Sequence, residues 1–228
     1  MHVFQDTKTT FKKAFQEILA AGDSYEIGEA ALPAYAHKNP FIDWLFWQRI
    51  KVSFQYAQQQ QQGGNVLDFG CGSGILSYLL AKAGYNVTAC DVEFSPLRLV
   101  QQKITFPENI SFVEGDILSQ GFPKHSFDMI FALDVLEHID DLEPYIAAFD
   151  ELLTPNGLLV VSGPTENRLY KMGRKLAGKR FTGDYHVSNI SNIKEAFRKT
   201  FPNMSSKKLI FPFILFEIFA VKKGDAPQ

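Results

Sequence analysis

An α/β architecture, a doubly wound sheet preceded by a helical extension, follows from three observations. Val66-Leu67-Asp68-Phe69 is a short apolar run broken by one acid, followed by Gly70-Cys71-Gly72-Ser73-Gly74 and a helix-like run from Ile75 to Ala81. Strand-like and helix-like segments then alternate through five units between Asn65 and about Val221, the order that builds a parallel sheet with right-handed crossovers. Residues 1–62, before this alternation, read as helical.

In the extension, Phe11, Ala14, Phe15, Ile18 and Leu19 recur at helical spacing and Gly22 ends the pattern. Asn39-Pro40 places a capping side chain before a proline at the first helical position. The helix opened there carries Phe41, Ile42, Trp44, Leu45, Phe46, Trp47, Ile50, Val52, Phe54 and Tyr56. These cover more than one face, so it is either fully enclosed or packs one face on the core and turns the other to a pocket or partner. Gln58–Gln62 and Gly63-Gly64 read as a helix end and linker. Val66 to Phe69 suits a buried parallel strand. The three alternate glycines after it suit a turn in which the backbone takes positive φ or lies against a ligand. Strand, glycine turn and helix start together form a nucleotide-type site at the carboxyl end of a sheet.

Asn86-Val87-Thr88-Ala89-Cys90-Asp91 alternates like a strand and stops at an acid, and Ser95-Pro96 opens the next helix. An acid there accepts ribose hydroxyls, a device shared by several nucleotide cofactors. Ile110 to Ile117 reads as a third strand ending in an acid-plus-apolar pair, Asp116-Ile117, and Phe127 to Ile139 as a fourth strand with its following loop, Leu133-Asp134-Val135-Leu136-Glu137-His138 included. Leu152 to Val161, through Thr154-Pro155-Asn156-Gly157, is the fifth segment of the alternation. Lys207 to Phe211 and Phe213 to Val221, joined at Pro212, read as two final strands. Between the fifth strand and the last helix lies an insertion, 163–186, with Arg168, Lys171, Arg174, Lys175, Lys179 and Arg180 and no acid from Arg168 to Gly183. It is either a solvated basic face or a lid that attracts an anionic or lipid-linked ligand.

Composition sets limits. The 228 residues, 46% hydrophobic and 21% charged, suit one globular domain with an appendage. A net charge of −2 argues against a broad nucleic-acid surface. The two cysteines, Cys71 and Cys90, fit neither a disulfide scaffold nor a zinc site and read as small apolar fillers in a reducing compartment. Met1 to Asp6 lacks the pattern of a signal peptide. The longest apolar stretch, Leu209 to Val221, is too short to span a bilayer. A cytoplasmic location is expected.

The glycines discriminate between cofactors. They fall as G-x-G-x-G, with Ile75 where a dinucleotide fingerprint has its third glycine. Asp68 would repel a pyrophosphate and attract an ammonium group. This pattern resembles the first motif of class I S-adenosylmethionine-dependent methyltransferases. Asp91, Asp116-Ile117, "FDMI" leading to "LEH", and the turn at Pro155-Asn156-Gly157 resemble the motifs that follow in that family, in the same order across 64–165. The likeness is to its small-molecule branch, the type 11-like methyltransferases.

The resemblance implies a Rossmann-like, seven-stranded sheet of order 3-2-1-4-5-7-6 with the last strand antiparallel. It implies a helical cap over 1–62 and an S-adenosylmethionine-binding domain over 63–228 with the lid at 163–186. Asp68, Gly70, Cys71 and Gly72 would line the methionine end, with Arg49 either at the methionine carboxylate or a surface residue. Asp91 would hold the ribose, Asp116 and Ile117 the adenine, and Leu133 and Asp134 the face near sulfur, with Val92 a further cofactor-binding residue. His138 and His186 are the candidate catalytic bases, each with a structural role as the alternative. No Asp-Asp-Asn metal set is evident. Methyl transfer, as O-methylation of a small-molecule or lipid-linked acceptor, is the expected activity, with no nucleic-acid substrate. A peripheral membrane contact through 168–180 and a homodimer are further expectations. The alternatives are a non-catalytic module binding the same cofactor and a nicotinamide-dependent oxidoreductase.

Overall fold

A computed structural model describes residues 2–21, 32–165, 189–210 and 214–224. The sheet has seven strands, in the order 3-2-1-4-5-7-6 counted along the chain, as the family resemblance implied. The chain divides into two compact units, Met1–Asp116 and Ile117–Gln228.

The first unit contains α1 (His2–Ala20), α2 (Leu32–Tyr35), α3 (Pro40–Gln60), β1 (Asn65–Phe69), α4 (Ile75–Lys82), β2 (Asn86–Asp91), α5 (Ser95–Gln101) and β3 (Ile110–Glu114). Its three strands are parallel, with Asp68 opposite Ala89 and Asp91 opposite Glu114. Val66, Leu67, Ala89 and Cys90 are fully buried, as befits strands covered on both faces. The α1 stripe read from the sequence packs as expected: Phe11 and Phe15 are fully buried, and Phe11 meets Tyr78 and Phe106 edge to face. Asn39 caps α3, its Oδ1 accepting the Phe41 N–H at 2.9 Å. Trp47 and Phe54 are buried while Trp44 is 39% exposed, so α3 is not enclosed on all sides.

A tie between α1 and α3 was not legible in the sequence. Asp43, buried on α3, accepts from Lys8 at 2.9 Å and Lys12 at 2.8 Å. Burial opposes its charge, but Lys12 and Lys8 outweigh burial and hold the carboxyl below the usual carboxylate value. An acid depressed in the folded state stabilises at neutral pH, and that contribution is lost as pH falls through the lowered pKa. Asp43→Asn is therefore expected to lower stability at pH 7 by roughly 1–3 kcal/mol. Urea unfolding checks this; a loss that persists unchanged at pH 2–3 contradicts it.

The second unit contains β4 (Phe127–Leu133), α6 (Glu143–Leu152), β5 (Leu153–Pro164), α7 (Ile190–Arg198), β6 (Met204–Ile210) and β7 (Ile214–Lys222). β4 and β5 are parallel, and β7 runs antiparallel to both β5 and β6. The segment read as a turn into the fifth strand lies within β5, where Leu153 pairs with Phe127 before the register shifts and resumes at Leu158–Met129. Asn189 caps α7 by accepting from the N–H groups of Ser191 and Asn192. Phe197 of α7 stacks on Phe149 and meets Phe219 edge to face. The expected insertion lies outside the described residues from 166 to 186, including His186 and the basic run 168–180.

Candidate functional site

In the first unit, the carboxyl ends of β1 and β2 hold the glycine turn from both sides. The Gly70 and Cys71 N–H groups donate to the Cys90 carbonyl at 2.8 and 3.2 Å. The Gly72 N–H donates to Asp91 Oδ2 at 2.7 Å, and the Glu93 N–H to Oδ1 at 3.3 Å. Gly70, Gly72 and Gly74 have φ of +71°, +52° and +77°, the left-handed region that side chains disfavour.

These glycines serve different ends. A Cβ at Gly74 would lie 2.9 Å from Leu97 Cδ1 and from Phe106 Cε1, so Gly74 is needed for packing. A Cβ at Gly72 would meet nothing within 4 Å. The space above Gly72 is open, beside a carboxylate that already shapes the turn.

The surroundings are acidic. Asp68 is buried, and Ser77 Oγ on α4 donates to its Oδ2 at 2.5 Å. Burial raises its pKa to about 6; the Ser77 hydroxyl and N–H oppose that rise and the Asp91 charge adds to it. Burial also raises Asp91, against hydrogen bonds from the Gly72, Glu93 and Val92 N–H groups. The Cys71 thiol is pushed up by burial and then by Asp68 and Asp91, and Cys90 is pushed up to about 12 by burial and then by Asp91, Asp116 and Asp68. Both cysteines are free and buried, and neither is a reactive thiolate. Beyond Asp91 the chain exposes an apolar side chain, Val92, to 70%. The carboxyl end of this unit thus offers negative charge, an open backbone cradle and an exposed apolar side chain. A cationic ligand is attracted there and a pyrophosphate repelled.

Arg49, expected at the methionine carboxylate or on the surface, is 4% exposed. Its guanidinium lies 4.4 Å over the Phe46 ring and donates to the Tyr35 hydroxyl at 3.1 Å. Burial overturns the surface alternative.

In the second unit, Asp134 follows β4 with φ of +54°, an uncommon conformation for a residue other than glycine. Ser162 of β5 holds it there: the Asp134 N–H donates to the Ser162 carbonyl at 3.1 Å, and Ser162 Oγ donates to Asp134 Oδ1 at 3.0 Å. Leu133 is half-buried. In the turn Leu136–His138 the buried side chains are Leu136 and Glu137, while His138 is exposed and its N–H donates to the Val135 carbonyl. Ile117 is buried, and the exposed apolar neighbour is Leu118. Ser77, Glu137 and Ser162 are not among the site residues expected from the sequence. A serine in the first turn of the helix after the glycines was a usable signal for Ser77; nothing local marked the other two. Among the described residues, no group of three or more His, Cys, Asp or Glu side chains is placed to hold a metal ion.

A family model described as a methyltransferase domain matches residues 67–161. The ubiquinone biosynthesis O-methyltransferase of Histophilus somni is 37% identical over 126 residues, covering 51% of this chain and 52% of that protein. The mitochondrial enzyme of the same name from Schizosaccharomyces pombe is 30% identical over 104 residues, 44% of this chain and 38% of that protein. The chain thus matches about half the length, or less, of these curated relatives. Among solved structures, the N-methyltransferase NodS of Bradyrhizobium japonicum in complex with S-adenosylhomocysteine superposes with a TM-score of 0.63 at 18% identity, covering 95% of this chain and 100% of that one. Phosphoethanolamine N-methyltransferase 2 of Haemonchus contortus gives 0.61 at 16% identity over 92% of this chain and 60% of that one. Both share the fold.

Proposed function

We propose that this chain, whose residues 67–161 match a methyltransferase-domain family model, belongs to that family, binds S-adenosylmethionine and transfers its methyl group to a hydroxyl of a small-molecule acceptor. The observation that carries the reading is the acidic cradle of the first unit: Asp68 and Asp91 beside an open, positive-φ glycine turn. A sulfonium with an ammonium group gains from that charge, and a pyrophosphate does not. The O-methyltransferase relatives support a hydroxyl acceptor.

Within the first unit, Asp91 keeps lone pairs for the ribose hydroxyls while fixing Gly72, and Val92 offers an apolar face to the adenine side, with Asp116 for its amino group. The turn at Gly70, Cys71 and Gly72 and the charge of Asp68 serve the methionine end. Arg49, held by Tyr35 and Phe46, is assigned to the methionine carboxylate. Motif order supports the assignment of Ile117, Leu133 and Asp134 to the same cofactor.

Methyl transfer is an in-line displacement. The acceptor oxygen forms a bond to the methyl carbon as the carbon–sulfur bond breaks, its electron pair leaves on S-adenosylhomocysteine, and the hydroxyl proton passes to a base. The sulfonium is already activated, so the protein's work is alignment, exclusion of water and acceptance of that proton. His138, exposed beside the second unit's strained Asp134 turn, is the candidate base among the described residues; His186 is the other candidate. A cytoplasmic location, a homodimer and membrane contact through 168–180 rest on the sequence alone, and light scattering and vesicle flotation test the last two.

Asp91→Ala is expected to weaken S-adenosylhomocysteine binding by roughly 1–3 kcal/mol, the range for hydrogen bonds to a charged group. Calorimetric titration checks it. Unchanged affinity in this variant removes the assignment, and tighter binding of NAD than of S-adenosylhomocysteine by the wild-type chain removes the cofactor.

A further inference from the structure

We propose that Ser77 is a positioning residue of the cofactor site, holding the buried Asp68 carboxylate oriented and charged at the start of α4. The inference rests on the cofactor reading above and adds a residue to it. Two observations carry it.

The first is geometric. Ser77 is fully buried, Asp68 is 3% exposed, and the hydroxyl-to-carboxylate distance is 2.5 Å, the length of a hydrogen bond to an ionised acceptor. Gly74, which precedes α4, makes no side-chain cap. Asp68 supplies what Gly74 cannot, because the Ser77 N–H in the first turn also acts on its carboxylate. A negative charge at that helix end is favoured by the unpaired N–H groups and the helix dipole.

The second is the company Asp68 keeps. Asp91 and Cys90 of β2, Cys71 of the glycine turn and Ser77 of α4 are the groups that act on Asp68 or feel its charge. No cation is among these described groups. A buried carboxylate with an acid beside it and no cation tends to take up a proton. Ser77 is the side chain that opposes this. The arrangement keeps an anion in reserve for a ligand that brings its own positive charge. Without the hydroxyl, Asp68 takes up a proton at a higher pH and the attraction for the ammonium group fades.

The test is a titration of the full chain with S-adenosylhomocysteine across pH 5–8.5, for wild type, Ser77→Ala, Asp68→Asn and the double variant. Wild-type affinity is expected to fall on the acid side as Asp68 protonates. Ser77→Ala is expected to shift that fall to higher pH and to weaken binding at pH 7 by about fivefold or more. In the Asp68→Asn background the serine substitution is expected to change neither affinity nor pH profile. A Ser77→Ala profile that overlays wild type overturns the proposal. So does an equal loss in both backgrounds, which marks a merely structural hydroxyl. Thermal unfolding of each variant confirms that a folded chain is titrated. Absence of S-adenosylhomocysteine binding by wild type overturns the cofactor reading itself, a result distinct from either of these.

Discussion

The ligand-free protein is expected to lose stability as pH rises from about 4 to 6, and Asp68→Asn to flatten that dependence. Asp68 has its pKa raised by burial to about 6 from a usual 3.8. Between those values the folded chain binds a proton that the unfolded chain has released, so unfolding becomes easier with each step up in pH. Above the folded pKa the full cost is present, amounting to about 3 kcal/mol at most. Asparagine keeps an oxygen acceptor for Ser77 but has no proton to lose. Melting curves at pH 4.5 and 7.5 should therefore differ more in wild type than in Asp68→Asn, once the contributions of other groups are subtracted as common to both. The same variant should bind S-adenosylhomocysteine more weakly at pH 7.5, because the charge that destabilises the empty protein is the charge proposed to meet the ligand's ammonium. Parallel stability curves for the two proteins would contradict this account of Asp68.

The second large effect separates two glycines of one turn. Gly74→Val is expected to destabilise the fold by roughly 2–5 kcal/mol, from left-handed strain and overpacking together. Its Cβ would press on Leu97 and Phe106, and Phe106 is itself fixed against Phe11, Tyr78 and Phe112. Gly72→Ala carries strain at φ of +52° but meets nothing, so about 1–2 kcal/mol of stability is expected to go. Its methyl group occupies the space assigned to the cofactor, and affinity should fall at least as far as in Asp91→Ala. Urea unfolding and calorimetry on both variants give the comparison. If Gly74→Val unfolds like wild type, or Gly72→Ala binds like wild type, the division of roles between the glycines fails.

What could be read from the sequence was what local chemistry dictates. The glycine turn, the acid closing β2 and the Asn39 cap all follow from residues within one or two turns of each other, and the order of strands follows from the family resemblance that the motifs carry. The α1 stripe was legible because a helix displays its buried face at a fixed period. Pairings across long stretches were not. Lys8 and Lys12 meet Asp43 over more than 30 residues, and nothing in a charged residue's neighbours announces a partner so far away. In "LEH" the histidine drew attention for its chemistry, yet Glu137 is the buried group; a short turn has no period from which to tell the inner side chain from the outer. Asp134 takes a left-handed conformation because Ser162, 28 residues on, holds both its backbone and its carboxylate. Asp68 is an intermediate case. Its acid was read as facing an ammonium group, while its burial and its hold on α4 needed the fold.

The most direct measurement is an incubation of the chain with methyl-labelled S-adenosylmethionine and a small-molecule extract, with nucleic acid and protein present as competing acceptors. Mass spectrometry then locates the label. Label on the oxygen of a small molecule, appearing in step with S-adenosylhomocysteine, is the result expected. Label entering nucleic acid or protein at a comparable rate, or saturable cofactor binding with no S-adenosylhomocysteine formed, would contradict it.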